Sequence, residues 1–179
     1  MTQRRRISLA VSGVCAVGAA VLAASVAAGP ENIRFPEDFD KGVMYATVDR
    51  YDIKQYRELW STPAGVKAVR EGKPITSGTV LTVVQYAAKQ DDKGNLVKDA
   101  NGRFVKGDLV GFGVMEKRTG WGADYAAEVR NGEWEYQVFG ADGKTNDKVK
   151  LATCFQCHKP RAANDFLFTW DRLKAFAAK

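Results

Sequence analysis

The sequence predicts an α+β domain built on a mainly antiparallel β-sheet with short covering helices. Three observations carry that prediction. Apolar residues alternate with period two over Thr79–Ala88, Asp108–Lys117 and Glu133–Gly140. Turn-forming Asp, Asn and Gly residues separate these runs, and the helical signals are all short. The 179 residues are enough for one domain with one core.

The chain opens with Arg4, Arg5 and Arg6, then an uncharged run from Ile7 to Ala28 and small residues at Ser25-Val26-Ala27. This is the pattern of a secretory signal peptide over residues 1–28, with an uncleaved membrane anchor as the alternative. Cys15 falls inside it and is expected to be discarded. The leader holds three arginines and no acid, so the formal charge of +6 falls to +3 for residues 29–179. That modest charge gives no reason to expect a nucleic-acid partner.

Gly29–Lys41, with Pro30 and Pro36, reads as an extended lead-in. Asp52 is placed to cap a short helix through Trp60. Thr62-Pro63 supplies an N-cap and a first-turn proline for a helix through Glu71, with Gly72 just beyond it and Val66 and Val69 inward. Thr79–Ala88 is apolar on both faces, Val80, Val84 and Tyr86 against Leu81 and Val83, as expected of a central strand.

An imperfect tandem repeat follows over 91–98 and 99–106. It lacks the spaced ligands and closing glutamate of a calcium loop, so two polar β-turns are expected. In the second strand, Val110, Phe112 and Val114 alternate with Gly111 and Gly113, which implies a bulge or a close approach to the backbone. Asp124 is placed to cap a helix to Arg130. In the third strand Trp134, Tyr136 and Val138 face inward, and Glu133, Glu135 and Gln137 outward. Asp142-Gly143 is a turn, Asp165–Trp170 reads as strand-like, and Asp171 caps a last helix.

The chemistry is concentrated in Cys154-Phe155-Gln156-Cys157-His158. C-x-x-C-H is the attachment signature of c-type haem, in which two thiols form thioethers and the imidazole binds iron. Beyond the leader only Cys154, Cys157 and His158 are available to zinc, which would need a borrowed carboxylate as its fourth ligand, an uncommon arrangement. A thioredoxin-like site needs a βαβ unit before it, and a plain Cys154–Cys157 disulfide is the remaining alternative. An exported chain matches the oxidising compartment that thioether formation requires. One covalent haem c near the C-terminus is therefore expected, on Cys154, Cys157 and His158.

His158 is the only histidine, and no methionine follows it. Met44 and Met115 are the upstream candidates for a second axial ligand; without them the iron is five-coordinate and open to NO, CO, hydroxylamine or peroxide.

A late C-x-x-C-H behind a β-rich body resembles the cytochrome P-460 and cytochrome c′-β family. The matching stretches are Gly72-Lys73-Pro74 leading to Gly78-Thr79-Val80, Val114–Lys117 before a Gly-Trp pair, Glu133–Tyr136, Asp142–Lys144, Cys154–Pro160 and Asp165–Thr169. The resemblance implies a sheet-based fold, usually a homodimer, with pentacoordinate haem on His158; the leader adds a periplasmic location, where a redox partner such as a soluble cytochrome is expected. It also implies one of two activities: NO binding beneath apolar caps, or hydroxylamine oxidation with a lysine cross-linked to the porphyrin. The strand after Val80 has no lysine before Lys89, which is the first cross-linking candidate. Glu116 is a candidate distal carboxylate, and Phe112 and Tyr86 are candidate caps. Simple electron transfer is the third reading.

Overall fold

The computed structural model describes residues 32–179; the leader and Cys15 lie outside them. Five strands form one antiparallel meander in the order β1-β2-β3-β4-β5. They are β1 (Val43–Arg50), β2 (Gln55–Ser61), β3 (Thr79–Ala88), β4 (Lys106–Lys117) and β5 (Trp134–Gly140). Three short helices accompany them: α1 (Pro63–Arg70), α2 (Leu151–His158) and α3 (Trp170–Ala177). The sheet is thus the main element, and β3 is its centre as its two apolar faces require.

Each face of the sheet carries its own core. On the first, Leu59, Leu81, Trp134 and Tyr136 pack with Val66 of α1, Phe155 of α2 and Leu173 of α3. On the second, Val84, Phe112, Val114 and Phe139 are covered by Ile33 and Phe35 of the lead-in. The Phe35 ring meets Phe112 and Phe139 edge-on at 4.9 and 5.3 Å. Helix α1 starts at Pro63 and stops before Gly72, whose φ of +67° no side chain opposes. Thr62 occupies the N-cap but makes no side-chain cap bond.

Several expectations give way to the tertiary structure. Residues 52–60 do not form a helix. Arg50 grips Asp52 through Nε and Nη2 at 2.8 and 2.6 Å, Lys54 turns with φ of +52°, and Gln55–Ser61 enters the sheet as β2. The pairing of β2 with both β1 and β3 outweighs a local capping signal, because a central strand saturates its backbone on both sides. Asp124 ends a 3₁₀ turn over Trp121–Asp124, and the helix expected through Arg130 is reduced to a single turn closed onto the Ala126 carbonyl. Asp165–Trp170 contributes no strand, and Thr169 holds the N-cap position of α3 without a side-chain cap bond, with Asp171 in the first turn.

Glu135 and Gln137 are not on a solvent face; they are 1% and 3% exposed, and the lead-in reaches Glu135 through Asn32. Asn32 donates its backbone N–H and its Nδ2–H to Glu135 at 3.3 and 2.9 Å.

The tandem repeat forms two polar turns as expected. The carboxylate of Asp91 accepts the N–H groups of Lys93 and Asn95, and that of Asp99 accepts those of Asn101 and Arg103. Both side chains are spent on their own turns. The excursion is tied back to β1 by Arg103, whose Nε and Nη2 lie 2.7 and 3.0 Å from Asp49.

Candidate functional site

Helix α2 carries the motif. Spacings of three and four along a helix place Cys154, Cys157 and His158 on neighbouring positions of one side. Phe155, one residue on from Cys154 and three before His158, enters the core beside them and is 2% exposed. Its ring meets Tyr125 and Tyr136 at 4.7 Å each. Buried Asn131 locks this arrangement by donating Nδ2–H groups to Tyr136 Oη and the Phe155 carbonyl, both at 2.9 Å. The helix can neither roll nor slide without breaking a buried polar bond, a cost of about 1–3 kcal/mol.

The two sulfurs are not joined to each other. Cys154 is half-buried, and burial, together with the neighbouring Cys157, pushes its thiol pKa up. Cys157 is exposed. Arg50 is held above its ordinary range chiefly by its bond to Asp52, with a smaller contribution from Cys157.

His158 stands between two aromatic rings, Tyr136 at 4.8 Å and Phe168 at 4.9 Å. Its Nδ1 lies 2.7 Å from the carbonyl oxygen of Phe166. That bond assigns the proton to Nδ1 and leaves Nε2 as the bare donor atom. Burial pushes the imidazole pKa down, partly offset by the Phe166 bond, so the ring is neutral at pH 7. A neutral imidazole with its second nitrogen anchored is the state in which histidine ligates metal.

The segment presenting that carbonyl is strained. Asp165 and Phe166 have φ of +48° and +62°, consecutive left-handed residues without glycine. Each such residue costs on the order of 1–3 kcal/mol unless its surroundings enforce it. Sequence reasoning took this stretch for a strand and missed the acceptor. The signal available was Asp165, a residue type that tolerates the left-handed region, followed by an aromatic run.

From Tyr136 the sheet continues under this site. Strand register sets Leu59, Val83, Gly113 and Val138 in one row, and Arg57, Gln85 and Gly111 in the next. These rows are apolar, small or neutral apart from Arg57, whose Nε and Nη2 donate to Gln55 Oε1 at 3.0 and 2.8 Å. Neither row holds a lysine. Lys89 is exposed beyond the end of β3, where its N–H is bonded to the Val105 carbonyl and opens the polar excursion.

Of the remaining candidates, Met115 alone lies on the sheet row of Tyr136, beside the site. Met115 is packed in the first core, in register with Leu81 and Tyr136. Met44 pairs with Trp60 at the sheet's β1 edge and is 43% exposed. Phe112 and Tyr86 belong to the second core, with the sheet between them and His158. Glu116 is in register with Val80 of that second core, 8% exposed, and is bonded to Arg118 rather than facing solvent freely.

The donor set therefore suits a haem: two thiols and a neutral, oriented imidazole on one side of a helix, beside a sheet face of small and apolar residues. An antiparallel sheet protein with such a site is a cytochrome-class haem protein. Residues 36–169 match the family model Cytochrome P460, and the chain belongs to that family. Its cofactor is accordingly a haem. No curated protein matches the chain.

Proposed function

We propose that the protein is an exported, periplasmic cytochrome carrying one covalent haem c on Cys154 and Cys157, with His158 as the proximal ligand. Its iron is five-coordinate and binds NO or a related small nitrogen oxide. One observation carries the reading: His158, the only histidine of the sequence, has its Nδ1 held by the Phe166 carbonyl and its Nε2 free, while Met115, in register with Tyr136, is packed into the first core. Thioether bonds hold a haem in place, and an open axial position supplies ligand binding. The chain's own residues do the rest. Phe166 fixes the tautomer of His158, and Tyr136 and Phe168 fix its ring plane.

Hydroxylamine oxidation through a lysine–haem cross-link is the competing activity. The lack of lysine in the two rows beside the site and the remote, exposed position of Lys89 favour NO binding over it. Arg57, half-buried and pulled below its ordinary pKa by burial and by Arg50, is the one cation in those rows.

The test is expression of the full chain in cells competent for cytochrome c maturation, followed by absorption spectra of both oxidation states and an intact mass. The expected protein is coloured, high-spin in the ferric form, responsive to NO, and heavier than the polypeptide by one haem. A colourless protein with a Cys154–Cys157 disulfide would refute the assignment; a red-shifted Soret band with a further mass deficit would transfer it to the cross-linked class.

A further inference from the structure

Asp165 and Phe166 hold a backbone conformation that neither would keep alone, and three side-chain bonds hold it for them. Lys117 Nζ lies 3.0 and 2.8 Å from Oδ1 and Oδ2 of Asp165. Trp134 Nε1–H donates to Asp165 Oδ1 at 3.1 Å. Both donors stand on the sheet, at positions paired across β4 and β5. Lys117 and Asp165 are 16% and 24% exposed and Trp134 is fully buried, so this is a largely desolvated ion pair on a rigid base. The ammonium also lies 5.4 Å from the Trp134 ring centroid.

Below the clamp, the Phe166 ring packs against Gly132, where an added Cβ would come within 3.3 Å of it. Leu167, 2% exposed, anchors the other side. The clamped turn ends in the Phe166 carbonyl, 2.7 Å from His158 Nδ1.

We propose that Lys117, Asp165 and Trp134 are positioning residues for the proximal histidine: by holding the left-handed Asp165-Phe166 turn against the sheet, they set the hydrogen bond from His158 to the Phe166 carbonyl, and through it the donor strength of Nε2. The inference rests on His158 being the haem ligand. A firm acceptor on Nδ1 makes the imidazole a stronger base, which strengthens its bond to iron and favours the ferric state. A looser acceptor does the reverse. The ion pair therefore tunes the metal from a residue that never touches it.

Asp165→Asn removes the ion pair while keeping the side-chain shape, the acceptor for Trp134 and tolerance of the left-handed backbone. Lys117→Gln removes it from the other side, and Lys117→Arg preserves it. Intact mass comes first: a wild-type protein without haem would refute the haem assignment itself, independently of the clamp. With haem present, resonance Raman of the ferrous protein should show the iron–histidine stretch moved to lower frequency in Asp165→Asn and Lys117→Gln, with a raised reduction potential. Lys117→Arg should keep wild-type values of both. Thermal melts identify any variant that fails to fold; should Lys117→Gln do so, Asp165→Asn decides alone. A wild-type stretch and potential in folded Asp165→Asn would overturn the proposal.

Discussion

The imidazole of His158 is held edge to oxygen by a carbonyl eight residues further along the chain, that of Phe166, at 2.7 Å. Flanking rings of Tyr136 and Phe168 at 4.8 and 4.9 Å leave the ring little freedom to rotate. His158→Gly would consequently leave a slot of imidazole shape with its acceptor still in place. The variant is expected to keep covalent haem but lose the wild-type spectrum, and added imidazole is expected to restore it. An absorption titration measures this, and a wild-type spectrum without imidazole would contradict the ligand assignment.

Attachment makes a separate prediction. Cys154 is half-buried against the core and Cys157 is exposed, yet each supplies one thioether in the proposed site. Cys154→Ala and Cys157→Ala should each leave a haem held by a single bond, and the double variant should release it to acidified organic solvent. Lys89→Ala should change neither the mass increment nor the spectrum, because Lys89 stands in solvent beyond β3. Loss of a mass deficit on that substitution would identify a cross-link.

The contrast between β3 and β2 explains how much of this architecture was legible. Thr79–Ala88 alternates valine, leucine and tyrosine without an opposing signal, and it runs over the residues expected. Tyr56-Arg57-Glu58-Leu59-Trp60 carries as much helical as strand character, and only pairing on both edges decides it. The motif cysteines and His158 were readable because attachment chemistry fixes residue type and spacing. The Lys117–Asp165–Trp134 contact was not, since it joins positions 31 and 48 residues apart through the fold. Glu135 misled for the same reason: its alternation is that of an outward residue, and Asn32 covers it from 103 residues away.

Glu135 predicts a pH dependence. Burial raises its carboxyl pKa, with the Asn32 and Tyr125 bonds opposing. A group that binds its proton more tightly when folded favours the folded state most below its unfolded pKa, near 4.5. That advantage is lost as pH rises through the folded value. Glu135→Gln removes the ionisation, although it also weakens one bond to Asn32 at every pH. The difference between variant and wild type should therefore shift in favour of glutamine as pH rises from 4 to 7. Urea denaturation of both proteins across that range measures it, and parallel curves would show that the carboxylate is fully compensated.

Two of the three glycines of β4 should respond oppositely to the same substitution. Gly111 has φ of +155° and sits where the β3–β4 register shifts after Gln85. A Cβ there would strike the Phe139 carbonyl oxygen, a backbone atom of β5 that cannot yield without opening the ladder. Gly111→Ala should destabilise the fold by about 1–3 kcal/mol. Gly113 has a strand conformation, and the nearest atom to its Cβ would be Gln85 Nε2 at 3.4 Å, the movable end of a side chain. Alanine also loses less conformational entropy than glycine on entering a strand, so Gly113→Ala should fall within about 1 kcal/mol of wild type, on the stabilising side. Denaturant midpoints of the two variants give the comparison. Equal losses would mean that the bulge at Gly111 is not what required glycine, and that close approach from above the sheet constrains both positions.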